Sequence, residues 1–407
     1  MLIDRIASAR LQGHEELQTL ELAEGRVRRV VRAAAEAATG DRNARTLEAN
    51  GRVLVASFVD AHVHLDKAFL LGLAGPTEAS LGSAIARVAE LRSLVSSRHV
   101  AENAGRAAAL LIKNGVTAAR AHVEIDPLVG LSLLDLHGEL QNELRSRLQL
   151  QLVAFPQRGF DVPGVRDLMS EAVRRVEVVG GCPYVDADPA RHLDLVFGWA
   201  EQRGLPIDLH LDFSDDPQRS LLKLVTERTL AHGMQGKVTI GHVTTLACMS
   251  PAAQQAALES LALADIALVV LPATDLYLGG HGEPGLRSLA PLERARAAGV
   301  RVAIGNNNIQ NPFAPFGNGN LLQAAWLSGL LRRMNGPSTA ELLLDAISHG
   351  PAAILGLPAH GPAVGARADL ALLDLTQSES IVSSAPSVLA TLRAAHLSHV
   401  ISAPGIA

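Results

Sequence analysis

Through the middle of the chain, short runs of Val, Ile, Leu and Ala alternate with longer segments whose apolar residues recur three and four apart. The runs are "FVDAHVHLD", "VTAARAHVEI", "LQLQLVAFPQ", "VEVVGGCPYVD", "PIDLHLDF", "KVTIGHVT", "ADIALVVLPATD" and "RVAIGNNN", eight in all. Runs of this length and composition predict strands. The segments between them, such as "VAENAGRAAALLIKNG" and "PAAQQAALESLALA", have helical spacing and often end at Gly, as a helix C-cap does. Eight strand–helix units over roughly 300 residues predict a TIM (β/α)8 barrel with insertions, with a doubly wound sheet as the less favoured alternative.

The two ends of the chain read differently. "LIDRIASARL", "EELQTLEL" and "RTLEANGRVLVAS" are short alternating segments broken at Gly25 and Gly51, which is strand and turn chemistry. "AVGARADLALLDL" and "HLSHVIS" repeat that signal near the C-terminus. The expected division is a composite β-sandwich domain from residues 1–57 and 362–407, and a barrel from residues 58–361.

Polar residues gather toward the C-terminal ends of the barrel runs: His62, His64, Asp66, His122, Glu124, Gln157, Asp186, His210, Asp212, His242, Asp275 and Asn307. That end of a TIM barrel is the catalytic face. Side chains two apart on a strand share a face, so His62 and His64 can close on one object. With His210 and His242 they supply imidazoles from three strands, suited to a divalent transition metal such as zinc or iron. His122 alone reads more readily as a hydrogen-bonded core residue than as a ligand.

Composition narrows the alternatives. The formal charge of −5 is modest and the basic residues are scattered, which argues against nucleic acid and anionic membrane surfaces as partners. No uninterrupted apolar stretch reaches the ~18 residues of a membrane span, and the N-terminus lacks the apolar core of a signal peptide, so a cytoplasmic address is expected. Cys182 and Cys248 are too few and too far apart for a disulfide framework or a thiolate metal site, and read as buried small apolar residues.

The segments "FVDAHVHLDKAF", "VAFPQRGF", "IDLHLDFSDDP", "IGHVTTL" and "PFAPFGNGNLL" resemble the amidohydrolase superfamily, in the branch of bacterial cytosine deaminase and N-isopropylammelide isopropylaminohydrolase. The similarity runs from about residue 50 to 375. The resemblance implies one divalent ion on His62, His64 and His210, with His242 beside the metal-bound water. It implies Gln157 against a substrate ring and Lys67 against a substrate oxygen. It also implies hydrolysis of a carbon–nitrogen bond in a small polar, cyclic nitrogen compound by activated water. Two-metal relatives add a carboxylated lysine on strand four, and no lysine occurs here between Lys113 and Lys223, so one metal is implied. Relatives are often homo-oligomers, although the chain itself does not give a subunit count.

Two positions depart from that pattern. The strand-eight aspartate, a ligand and proton carrier in the family, is matched by Asn307, whose amide can coordinate weakly or contact substrate but cannot accept and return a proton at neutral pH. The strand-five glutamate of cytosine deaminase is matched by Phe213, an apolar wall, which makes cytosine an unfavoured substrate. Three readings stay open. One is a hydrolase with relocated acid–base chemistry, Asp275 being the leading candidate carrier and Asp212 and Asp66 weaker ones. Another is a hydrolase for substrates with a good leaving group. The third is a binding protein that kept the barrel and lost the reaction. Phe316 is a further candidate wall, and the Asn- and Gly-rich loop around it is expected to shield the site.

Overall fold

The structure, a computed structural model, describes residues 1–36, 44–281, 288–336 and 338–401. Each of the eight runs forms a parallel barrel strand: Phe58–Val63, Val116–Glu124, Gln149–Phe155, Val178–Gly181, Ile207–Leu211, Val238–His242, Ala267–Val270 and Val302–Ile304, here strands 1 to 8. They follow one another around the sheet in chain order. The intervening helices form where the spacing predicts. Ser97–Lys113 is capped by Ser96, whose Oγ accepts from His99 N, and it buries Val100, Ala104, Ala107, Ala108 and Leu111 against the outside of the barrel. Pro251–Leu263 begins with a proline at its first position behind the Ser250 cap.

Closure between strands 1 and 8 is narrow. It consists of one parallel bridge, Val63 to Asn307, with His64 N donating to Asn307 O (2.7 Å) and Asn307 N donating to His62 O (2.8 Å). The buried Asp60 carboxylate reinforces the seam: Oδ1 accepts from His62 N and Asn306 N, both at 3.2 Å, and Oδ2 from Asn306 Nδ2 at 2.7 Å. Gly305 permits this approach, since a Cβ there would lie 2.9 Å from Leu271 Cδ2 and 3.0 Å from His62 O.

The chain ends build two four-stranded sheets. One runs Arg26–Arg32, Gln18–Ala23, Arg5–Ala9, Thr46–Glu48, and the other His396–Val400, Val388–Arg393, Leu370–Leu373, Val53–Ala56. Ile6, Leu20 and Leu22 from the first pack with Leu54, Leu370, Leu372 and Leu392 from the second in one core, the expected sandwich. Residues 402–407, assigned from sequence to this unit, lie outside the described residues.

Over the C-terminal mouth of the barrel lies the helix Leu81–Arg92, inserted after strand 1. Its Leu81, Ala84, Ile85 and Val88 pack on Phe213, Tyr277, Leu278 and Phe313, which come from the segments after strands 5, 7 and 8. This cover buries the polar ends of the barrel strands: His62, His64, Lys67, Gln157, His210, His242 and Asn307 are each no more than 5% exposed.

Candidate active site

Strand period brings His62 and His64 to one face, and strand 5 carries His210 to meet them. His62 Nε2 and His64 Nε2 lie 3.2 and 3.1 Å from His210 Nε2. The His62 ring stands at 70° to His64 and 69° to His210, so lone pairs in the ring planes point inward from different directions. Burial holds all three rings well below the usual histidine pKa, followed by the neighbouring imidazoles at His62 and His210 and by Lys67 at His64, which favours the neutral, ligating form. A tetrahedral ion with nitrogen ligands at about 2.0–2.1 Å has ligand–ligand edges of about 3.3–3.4 Å. The two separations from His210 Nε2 are close to that edge, and the donor set suits a divalent transition ion.

His122 also has a nitrogen near this cluster, since it, His62 and His210 each offer an atom within 4.8 Å of the others. Its ring is stacked on His62, with centroids 3.7 Å apart and planes at 23°. His64 Nε2 approaches His210 from the other side, so His64 and His122 are alternative third members beside His62 and His210.

Strand 4 contributes no ligand. A Cβ at Gly180 would stand 2.5 Å from Phe155 Cβ and one at Gly181 would stand 2.9 Å from His192 Nε2, so strand 3 and the helix behind leave no room for a side chain there. Asn307 sits across from Val63, between the two strand-1 histidines, with a φ of 58°. Its Oδ1 is buried and has no hydrogen-bond partner among the described residues.

At the end of strand 6, His242 Nδ1 lies 2.6 Å from Asp275 Oδ1. Asp275 is not on strand 7, as expected from sequence, but on the short helix Pro272–Leu278 that follows it. Its Oδ2 accepts from Leu271 N (3.2 Å), so the carboxylate reaches the site only through His242. Burial raises the Asp275 pKa, against the opposing pull of His242. Phe213 meets the His242 ring edge-on, with centroids 5.1 Å apart.

Opposite these groups, Lys67 Nζ donates to Gln157 Oε1 (3.1 Å), lies 3.6 Å from Glu124 Oε2, and is flanked by the rings of Phe155 and Phe313 at 5.3 and 5.2 Å. The buried ammonium is therefore ion-paired rather than isolated. Cys182 is buried beside Gln157 and its thiol is pushed up to about 12 by burial, whereas Cys248 is only partly buried.

Several expectations need correction. Asp212 does not share a face with His210, because the chain leaves the extended conformation just after that histidine, whereas Asp66 stays beside His64, its Oδ1 3.9 Å from His64 Nδ1. Asp212 has a φ of 51° and accepts from Ser220 Oγ, Leu221 N and Thr245 Oγ1, holding the loop after strand 5. Asp66 binds Arg92 at 2.5 Å. Asp186 pairs with His192 and not with the site. Phe316 is 87% exposed, neither wall nor core, and Phe313 takes the inward position. Sequence reasoning passed over Asp208 and Arg120. Both lie two residues before a histidine on the same strand, so the strand period was a signal that placed them on the inner face.

Two large cavities lie away from the His62–His64–His210 cluster. One of about 1020 Å3 is lined by Leu54, Arg332 and His349, and one of about 790 Å3 by Phe316 and Trp326.

A sequence profile of the Amidohydrolase family matches residues 163–402, more than half of the chain. The chain belongs to the amidohydrolase family, and it is a hydrolase acting on non-peptide carbon–nitrogen bonds. It is 27% identical over 345 residues to pterin deaminase of Rhizobium rhizogenes strain K84, covering 83% of this chain and 78% of the relative. To the N-isopropylammelide isopropyl amidohydrolase of Pseudomonas sp. strain ADP it is 25% identical over 355 residues, covering 81% of each. The crystal structure of 5-methylcytosine deaminase from Klebsiella pneumoniae with 5-fluorocytosine superposes with a TM-score of 0.91 at 27% identity over 98% of both chains. Use of a divalent metal is general to the family. Among the described residues, no helix is long and apolar enough to cross a membrane.

Proposed function

We propose that this chain is a one-metal hydrolase of the deaminase type, acting on a small nitrogen heterocycle with its barrel domain, residues 58–361, and closed by a small domain of residues 1–57 and 362–407. The observation that carries the reading is the convergence of three neutral Nε2 atoms from two distant strands. His62, His64 and His210 would hold one zinc or iron ion. Such an ion supplies a nucleophile at neutral pH by acidifying water. The relatives act on pterin and ammelide rings by name, and a flat ring with amide-like edges suits the groups present here.

The proton chemistry falls to the chain. Asp275 accepts Nδ1–H of His242, which leaves the Nε2 lone pair free to take a proton from the attacking water and return it to the departing nitrogen. A negative carboxylate behind the ring stabilises the imidazolium formed in between, as in a serine hydrolase triad. Asn307 can accept a hydrogen bond or offer a weak oxygen ligand, but cannot carry that proton. Lys67 and Gln157 present donors to a ring carbonyl, and Phe213 walls the ring edge beside His242.

Asn307 and Phe213 in place of carboxylates favour a second reading, a binding protein that retains the metal and the ring pocket without turnover. One experiment separates them. The protein, loaded with zinc, iron or manganese, is screened against pterins, pyrimidines and triazines for ammonia or amine release. Release above the metal-free blank supports the hydrolase, and tight ring binding without release supports the second reading. A preparation that takes up substantially less than one metal per chain under all three conditions removes the metal centre from both.

A further inference from the structure

The inner wall of the barrel is built unevenly beneath the histidines. Around strands 7, 8 and 1 it is small and apolar, with Val59, Ala61, Ala267, Val269 and Ala303. Below His62 it holds a charge pair: Arg120, 1% exposed, donates through Nη1 to Asp208 Oδ2 (2.7 Å) and to Thr239 Oγ1 (3.1 Å), and through Nε to Gln151 Oε1 (2.8 Å). Asp208 is fully buried, and this bidding by Arg120 occupies only one of its oxygens. The other, Oδ1, lies 3.2 Å from His122 Nε2 and 3.8 Å from His62 Nδ1, and among the described residues none of these three atoms makes a well-directed hydrogen bond.

The same pattern recurs beside His64. Arg92 donates to Asp66 Oδ2 (2.5 Å) and to Asp66 O (2.8 Å), while Asp66 Oδ1 has no hydrogen bond and lies 3.9 Å from the unpartnered His64 Nδ1. In both places an arginine fixes one carboxylate oxygen and leaves the other facing the Nδ1 of a histidine whose Nε2 points to the shared centre. A histidine that gives its Nε2 lone pair to an ion carries its proton on Nδ1, and that proton then faces a carboxylate. Unpartnered buried polar atoms are costly, and the five gathered here have an evident use when each neutral ligating ring carries its proton on Nδ1.

We propose that Asp208 and Asp66, each locked by its arginine, are the positioning carboxylates of the metal centre: they fix the tautomer and tilt of His62 and His64. His122, stacked on His62 and facing the same Asp208 oxygen, limits rotation of the His62 ring. The proposal rests on the reading that His62, His64 and His210 hold the ion.

Zinc affinity, measured by competition with a chromophoric chelator on the full chain, tests it without any turnover assay. Asp208→Asn and Asp66→Asn should each weaken zinc binding by about 10- to 100-fold, the range seen when outer carboxylates of metal-bound histidines are removed. Asp186→Asn, which alters a buried Asp–His pair outside the centre, should leave the affinity within about twofold. Melting of the metal-free proteins reports any loss of fold separately. Should Asp208→Asn fail to fold because Arg120 is left unpaired, Arg120→Met/Asp208→Asn removes both charges together and carries the same expected loss. Affinities equal to wild type in the Asp208 and Asp66 variants overturn the proposal while leaving the metal site standing. A wild type that binds zinc no better than His210→Ala overturns the metal site, and the proposal with it.

Discussion

Two histidine–aspartate pairs in this barrel have the same bond and different surroundings. In one, His242 Nδ1 lies 2.6 Å from Asp275 Oδ1, and in the other His192 Nδ1 lies 2.6 Å from Asp186 Oδ2. Both are buried. The difference is in the far nitrogen and in the company of the carboxylate. His192 Nε2 accepts from Cys182 N (3.0 Å), and Asp186 also accepts from Phe160 N (2.9 Å) and Asp161 N (3.3 Å). Every atom of that pair is committed to holding the loops after strands 3 and 4. Among the described residues, His242 Nε2 has no hydrogen-bond partner and Asp275 accepts one backbone N–H besides the ring. Their charges respond accordingly. Burial raises both carboxylates, but His192 and the two backbone donors bring Asp186 below its ordinary pKa, whereas burial wins at Asp275. A dyad is available for proton transfer only where one nitrogen is left over.

That contrast can be broken in several ways. The largest effect is expected at the centre that both share a barrel with: His210→Ala, or exhaustive chelation, should abolish turnover on any substrate found and reduce metal to well under one ion per chain, measured by atomic emission. Next, Asp275→Asn should lower kcat by about 10^2- to 10^4-fold, the usual worth of a positioned acid–base group, with metal content unchanged. Asp186→Asn should leave kcat within about threefold, and a comparable loss in both would erase the distinction. His192→Phe should act on stability instead, costing about 1–3 kcal/mol in urea unfolding for the stranded Cys182 N–H and Asp186 carboxylate, while the folded fraction keeps its kcat. Asn307→Asp sharpens the question of where the carrier sits. If His242 and Asp275 carry the proton, kcat should change by less than about tenfold, whereas a gain of more than about a hundredfold would return that role to strand 8. The smallest effect is on acid sensitivity. Asp186 has a depressed folded pKa, so its contribution to stability is present above the unfolded value and is lost as pH falls through the folded one. Asp186→Asn should therefore narrow the difference in Tm between pH 6 and pH 3, and an unchanged difference would show that the pair's charge carries no stability.

Much of the site is legible in the residues because it obeys the two-residue period of a strand. His62 and His64, His210, and the polar ends of strands 2 and 5 fall on the inner face by counting alone. The count stops being informative where extended backbone stops. Asp212 is two residues past a strand histidine, yet a turn after it sends the side chain to the Ser220 loop. Asp275 stands 33 residues from His242, on a helix rather than a strand, and nothing in its neighbourhood of the sequence announces the partner. Phe313 and Phe316 share one loop and one chemistry; the turn at Asn311, whose Oδ1 accepts from Phe313 N and Ala314 N, sends the first under the cover and the second into solvent.

What the amino-acid order determined is therefore the inventory: eight buried strands, a separate β-unit made from both ends, and imidazoles at the strand ends, since periodicity and residue type act over a few neighbours. The tertiary structure decided the pairing: which nitrogen of each histidine faces its neighbours across the centre, which carboxylate stands behind it, and which arginine holds that carboxylate. Those choices are made between strands far apart in the chain, where barrel closure sets distances of a few ångströms that no local pattern encodes.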